Sequence, residues 1–329
     1  METACSIAVI AWTQVSRRSQ ELARELGAVY YRLDRVDRPN WKIVYCLVRN
    51  FIKTFLWLCY YQPDVVITFH AHPFVTLSGS IYAWLFSKKV IPDIHTAGFL
   101  DYDFFPVQQI SNFLWKRSFL ILLHNPEAGK YIGEKYPDLV DKIFVLEDPL
   151  PQIEVAVPKK ENDKPICTFI CRYSNDEPFR EFLEAVKSIP DVDFYITGNV
   201  EKNPTLKSKY NQKNIHFTGF LSDIDYFKQL AKSDLLIALT TRPYTLMSAG
   251  YEALEIGKPL IVTDSEALRQ YFLDNVLYSD NNVDSIRDSL TSAIRMLPDL
   301  AEKMNSYKQV KLNQWQNRVE ELLMRIEKI

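Results

Sequence analysis

Glycine is scarce in this chain, 9 residues in 329. The turn after the first apolar run, Trp12-Thr13-Gln14-Val15-Ser16, holds none, so the G-x-G-x-x-G fingerprint of nicotinamide-type dinucleotide binding is absent. Cysteines are few and odd in number: Cys5, Cys46, Cys59, Cys167 and Cys171. They lie in apolar runs and read as reduced core residues of a cytoplasmic protein. Cys167 and Cys171 have no second pair with which to complete a zinc site. An excess of one charge is missing too: the formal balance is −2, which argues against nucleic acid as a partner. No secretory signal is read at the start, because residues 6–12 are apolar but too short and no small-residue cleavage site follows.

What is abundant is apolar material, 47% of residues with 13% aromatic. At this length that suffices for two cores in two domains. The first half reads as short buried strands at residues 6–11, Val29–Leu33, 64–69, 90–94, 119–123 and 143–146, separated by helical patterns such as 14–27. The alternation predicts a doubly wound α/β domain. Ligands of such sheets bind outside the carboxyl ends of the strands. Three strand ends here carry polar groups. His70 and His72 follow the third run; two apart on extended chain, they are expected to point the same way, and a metal would need a third ligand. Asp93 and His95 end the fourth run, a carboxylate and imidazole of general-base type, with Asp101 close behind. His124 ends the fifth.

The helix predicted over Trp41–Tyr61 is apolar around most of its circumference. Arg49, Asn50 and Lys53 fall at mid-length, which argues against a transmembrane span. Aromatics, basic residues and the lack of acids suit either a membrane surface or a helix packed against its neighbours.

Residues 151–165 are proline-rich and charged, the composition of a linker. A second strand–helix series follows, with strands at 166–171, Asp193–Thr197, 215–218, 235–239 and Leu260–Thr263, and a long helical tail after residue 299. The assigned boundaries are a first domain over 1–150, a linker over 151–165, a second domain over 166–300 and a tail over 301–329. The chain is organised around residues 234–264, a strand, a polar loop, a helix expected over 251–256, and a strand. The loop offers Thr240, Thr241, Arg242 and Ser248. With free N–H groups at a helix start, these suit a phosphate. Glu252, expected in the first helical turn, suits a neighbouring diol such as a ribose.

Two doubly wound (Rossmann-like) domains, a proline-rich linker and a terminal helix long enough to cross back resemble the GT-B glycosyltransferases. The second half looks like the family 4 enzymes of surface-glycan synthesis. The resemblance implies that Arg172 holds a donor phosphate, that Gly198, Asn199, Gly219 and Phe220 surround the nucleobase, and that Glu252 in YEALEIGKPLIVTD holds the ribose. It implies that His70, His72, Asp93 and His95 lie on the acceptor side. Tyr244, Glu177 and Cys171 stand where the family places a glutamate, a lysine and a glycine.

The function implied is transfer of a sugar from a UDP- or GDP-linked donor to a glycan or lipid-linked acceptor, with retention. No metal and no cofactor are required if the arginines and N–H groups take the diphosphate charge. His95, Asp93 or Asp101 would accept the acceptor proton, or, in a retaining mechanism, the departing phosphate would. The rival readings are a non-catalytic subunit of this fold supporting a partner glycosyltransferase, and a nucleotide-sugar epimerase.

Overall fold

The computed structural model describes residues 5–13, 16–34, 41–70, 72–101, 106–156, 158 and 163–328. The chain divides into two compact units, Met1–Pro149 with Gln314–Ile329, and Leu150–Asn313.

Each unit is built on a six-stranded parallel sheet. The first contains β1 (Ile7–Trp12), β2 (Val29–Leu33), β3 (Val65–His70), β4 (Lys89–Ile94), β5 (Ile121–Leu123) and β6 (Ile143–Val145) in the order β2-β1-β3-β4-β5-β6. Its central strands are buried along both faces, as the apolar runs IAVIAW and VVITFH require. On one face Val9, Val65 and Ile67 pack with Leu22 of the helix Arg17–Glu25 and with Val319, Leu322 and Ile326. The last three belong to the terminal helix Leu297–Glu327, which starts in the second unit and ends in the first, the crossing back that the sequence implies. Trp315 Nε1 fastens that helix by donating to Glu147 O at 3.0 Å, and Arg318 Nη2 by donating to Val145 O at 2.7 Å. On the opposite face Ile10, Val66, Val75, Tyr82 and Leu58 pack together.

The second unit contains β7 (Ile166–Phe169), β8 (Asp193–Thr197), β9 (Ile215–Gly219), β10 (Leu235–Ala238), β11 (Leu260–Thr263) and β12 (Leu277–Ser279), ordered β12-β11-β10-β7-β8-β9. β12 was not expected from the sequence. The order of strands reverses direction between β1 and β3 in the first unit and between β7 and β10 in the second. The crevice outside the carboxyl ends of the two strands at such a switch is where doubly wound sheets hold ligands.

Candidate functional site

In the second unit the switch brings together the loop after β7, residues 170–178, and the loop after β10, residues 239–247. Ile170 N donates to Ile237 O of β10 at 2.9 Å, and Thr241 N to Asp176 O at 2.7 Å, the second bond joining the two loops by backbone. Thr240 lies beneath them. Its N–H donates to Thr263 Oγ1 at 2.8 Å, and its own Oγ1 accepts from Arg242 N at 3.1 Å. Buried there, Thr240 shapes the loop rather than lining its surface, unlike the expectation that its hydroxyl meets a ligand.

Two cations converge on this place. The Arg172 side chain is 81% exposed at the end of β7. Arg242 is half-buried in the other loop. Their common neighbour is Asp176: burial works to raise its carboxyl, but a hydrogen bond from Ser174 and the charges of Arg172 and Arg242 hold it low. The β7 loop is organised by a carboxylate of its own. Tyr173 has a left-handed backbone, φ 60°. This turns the N–H groups of Arg172 and Ser174 onto Glu177 Oε2, each at 2.9 Å. Such a pair of converging amides is an anion nest, and Glu177 fills it. Arg172 is thereby left with its guanidinium outward, 3.8 Å from Glu177 Oε1.

The helix Ser248–Glu255 begins directly after the second loop, three residues earlier than the sequence suggested. Its N-cap residue is Met247, which has no side-chain oxygen to cap the first turn, and Ser248 at its start is exposed. The earlier start moves Glu252 out of the first turn. It is buried, and its Oε2 accepts from Tyr226 OH at 2.6 Å. A hydroxyl at that distance fixes the direction of the carboxylate. Gly198, φ 89°, ends β8 where a Cβ would stand 2.2 Å from Cys171 O, so only glycine lets this strand end meet the β7 loop. Asn199 caps the short turn that follows, accepting from Glu201 N at 3.1 Å. Gly219 has φ 71° and ends β9, and Phe220 after it is 87% exposed.

In the first unit the structure separates residues that the sequence grouped. His70 is wholly buried, with Nδ1 2.7 Å from Thr76 Oγ1 and Nε2 3.4 Å from Ser111 Oγ. His72 instead caps the helix Pro73–Phe86, accepting from Phe74 N at 3.4 Å. The two imidazoles therefore do not point the same way. Asp93 is buried in a two-pronged pair with Arg18, whose Nη2 lies 2.7 Å from Oδ1 and Nε 2.8 Å from Oδ2. Burial would raise this carboxyl, but Arg18 and then His95 outweigh it and hold it well below the carboxylate range. A carboxylate so held is a poor proton acceptor, which removes the general-base role expected of Asp93. His95 keeps 22% of its side chain exposed, with Nε2 3.6 Å from Asp93 Oδ2 and its ring stacked on His124 at 5.2 Å. Asp101 is exposed at the end of the short helix Thr96–Leu100. Neighbouring Asp103 lies outside the described residues.

Arg18 had no signal in the sequence. It also donates to Glu147 O at 2.9 Å and reaches Asp148 Oδ1 at 2.8 Å, tying together the carboxyl ends of β4 and β6. Glu177 was legible only as a departure from the resemblance. Among the described residues no group of three or more His, Cys, Asp or Glu is set to hold a metal ion.

The buried histidines make the first unit acid-sensitive. Burial holds His70 down to about 3 and His72 down to about 4. A histidine whose folded value is depressed takes up its proton more readily when unfolded. Its contribution is complete above the unfolded value near 6.5 and is lost as pH falls below it. The slope is up to about 1.4 kcal/mol per pH unit for a fully buried imidazole. Thermal melts from pH 7.5 to 5 should therefore show a transition that falls with acidity in the wild type and falls less in His70→Asn, an equal slope in both sinking the assignment.

Residues 152–311 match the family model described as Glycosyl transferases group 1. No curated protein matches the chain. Among solved structures, sucrose-phosphate synthase from Thermosynechococcus elongatus is similar with a TM-score of 0.78 and 11% identity, covering 98% of each chain. HepE from Anabaena, in complex with UDP-glucose, has a TM-score of 0.74 and 10% identity over 97% of this chain and 99% of that one. A Listeria monocytogenes protein described as a UDP-N-acetylglucosamine 2-epimerase has a TM-score of 0.66 and 16% identity over 92% of this chain and 91% of that one. At such identities the three likenesses speak for the fold.

Proposed function

We propose that this chain, a glycosyltransferase of the GT-B fold whose second unit belongs to the glycosyl transferases group 1, moves a sugar from a nucleoside-diphosphate donor to a glycan or lipid-linked acceptor with retention at the anomeric carbon. The observation that supports it best is the pairing of the β7 and β10 loops at the strand-order switch. Arg172 and Arg242 converge there beside the start of the helix Ser248–Glu255. These groups hold the donor diphosphate, and Glu252, aimed by Tyr226, takes the ribose hydroxyls. Gly198, Asn199, Gly219 and Phe220 bound the base, which we assign as uracil by analogy with the UDP-glucose held by HepE.

The bond from the anomeric carbon to the diphosphate breaks and one to the acceptor oxygen forms. Charge grows on the leaving diphosphate, where the two arginines and the helix amides lower the barrier without a metal or cofactor. The acceptor proton passes to the departing phosphate. In the first unit we assign His95, His72 and Asp101 to the acceptor side. The apolar helix Trp41–Tyr61 supports a lipid-linked acceptor and a place on the cytoplasmic membrane face.

Thermal-shift titration with UDP, GDP, ADP and their sugars tests the donor site, since a ligand of the native state raises the melting temperature by linkage. UDP and UDP-sugars should raise it, and Glu252→Ala should lose the shift. No shift with any nucleotide would sink the reading, and formation of an epimer from the donor alone would identify an epimerase instead.

A further inference from the structure

The helix Trp41–Tyr61 is apolar on its outward side as well as on its inward one. Its inward face carries Asn50 and Thr54, both 0% exposed, beside Leu58. Thr54 Oγ1 accepts from Trp12 Nε1 at 2.9 Å, and Asn50 Nδ2 donates to Asp34 O at 3.1 Å. Its outward face is a stripe at i, i+4 spacing, Val44, Val48, Ile52, Leu56 and Tyr60, from 50% to 85% exposed. A helix that packs Leu47, Phe51, Phe55 and Leu58 inward and still leaves a continuous apolar stripe outward presents a surface of the kind that is covered by a partner.

The stripe does not stand alone. The helix Pro73–Phe86 packs beside it and leaves Trp84, 81% exposed, with Leu85 and Phe86 at its end. The helix Val107–Arg117 packs beside that one and shows Phe113, with the Arg117 guanidinium 3.7 Å over its ring. None of the three helices contains an aspartate or glutamate, whereas Arg49, Lys53, Lys116 and Arg117 are distributed over two of them. Lys116 is engaged by Asp138 at 2.6 Å, and Lys53 and Arg117 are exposed.

We propose that these three helices together form a face on which the first unit lies flat against an anionic lipid bilayer. The choice of occupant rests on charge: an acid-free apolar face flanked by cations matches negatively charged headgroups over acyl chains. A second copy of the chain would oppose like charges instead. Ile43–Tyr61 is long and apolar enough to cross a membrane, with a mean hydropathy of 1.3. Crossing would break the bonds of Asn50 and Thr54 into the unit, so the helix lies in the interface with only its stripe immersed. The proposal extends the surface beyond the Trp41–Tyr61 helix on which the lipid-linked acceptor rests, and it does not depend on the donor chemistry.

Flotation of the full chain with vesicles tests it. The chain should float with mixed phosphatidylcholine–phosphatidylglycerol vesicles, much less with phosphatidylcholine alone, and less in high salt. Tyr60→Ser with Trp84→Ser should cut the floating fraction several-fold, and Lys53→Glu with Arg117→Glu should abolish the dependence on phosphatidylglycerol. The UDP thermal shift, read on the same samples, should stay unchanged, which separates failure of this proposal from failure of the donor assignment. Equal flotation of wild type and Tyr60→Ser/Trp84→Ser would overturn the proposal. So would a chain that binds no vesicles yet forms a dimer in light scattering that the same substitutions dissociate.

Discussion

Arg18→Met should lower the stability of the first unit by about 3–5 kcal/mol, because it leaves the Asp93 carboxylate buried without its cation. Both side chains of this pair are nearly closed to water, at 4% and 2% exposure. Three hydrogen bonds run from the guanidinium to the carboxylate, and Glu147 and Asp148 take its remaining reach. The methionine stem keeps most of the volume, so the loss is chiefly that of an uncompensated charge. It should be greatest near neutral pH and shrink toward acid, where burial lets an unpaired Asp93 accept a proton. Adding Asp93→Leu to Arg18→Met should recover most of the loss, since replacing both partners of a buried pair is often neutral. Chemical denaturation of the two variants decides the matter: a single substitution that costs under about 1 kcal/mol, or a double one that costs more than the single, refutes this role for the pair.

The second large effect concerns rate rather than stability. Arg172→Ala should reduce turnover with a UDP-sugar by about 10²–10³-fold, the usual cost of removing one donor aimed at developing negative charge. The side chain is mostly in solvent and its contact with Glu177 is long, so the melting temperature should hardly move. Arg242→Ala should act in the same direction, and Arg172→Lys should restore part of the rate because a point charge replaces a fork. Steady-state kinetics beside a thermal melt separates the cases. An Arg172→Ala protein of wild-type turnover would remove the arginine from the donor site.

The two sheets were readable because parallel strands covered on both faces must be apolar runs. Val29–Leu33, Asp193–Thr197 and Leu260–Thr263 emerged with the boundaries the structure gives them. β12 escaped because it is three residues long at the edge of its sheet, with a serine as its third. The start of the Ser248–Glu255 helix escaped for another reason. Ser248-Ala249-Gly250 reads as loop, yet Gly250 is helical, and a Cβ there would stand 2.9 Å from the Phe272 ring. Packing, not local preference, chose that glycine. Arg172 and Arg242 were legible from their places just past strand ends. Arg18 was not, since its partner Asp93 is 75 positions away and no local spacing links a helix cation to a distant strand. The separation of His70 from His72 was likewise hidden, because it depends on where the third strand stops and the next helix is capped. Glu177 as filler of the amide nest could not be foreseen without the left-handed backbone of Tyr173.

The helix Leu297–Glu327 also sets a schedule for biosynthesis. Val319, Leu322 and Ile326 complete one face of the first unit's core, but they leave the ribosome only after the whole second unit has been made. At translation speeds of about 5–20 residues per second this delay is roughly 10–30 s. During that interval the nascent first unit lacks the part of the cover over β1 and β3 that these three side chains supply, while the second unit is being completed. The usual order, amino-terminal domain finished first, is reversed in this chain. Truncation of the last turns would leave the first unit in the unfinished state that every newly made copy passes through.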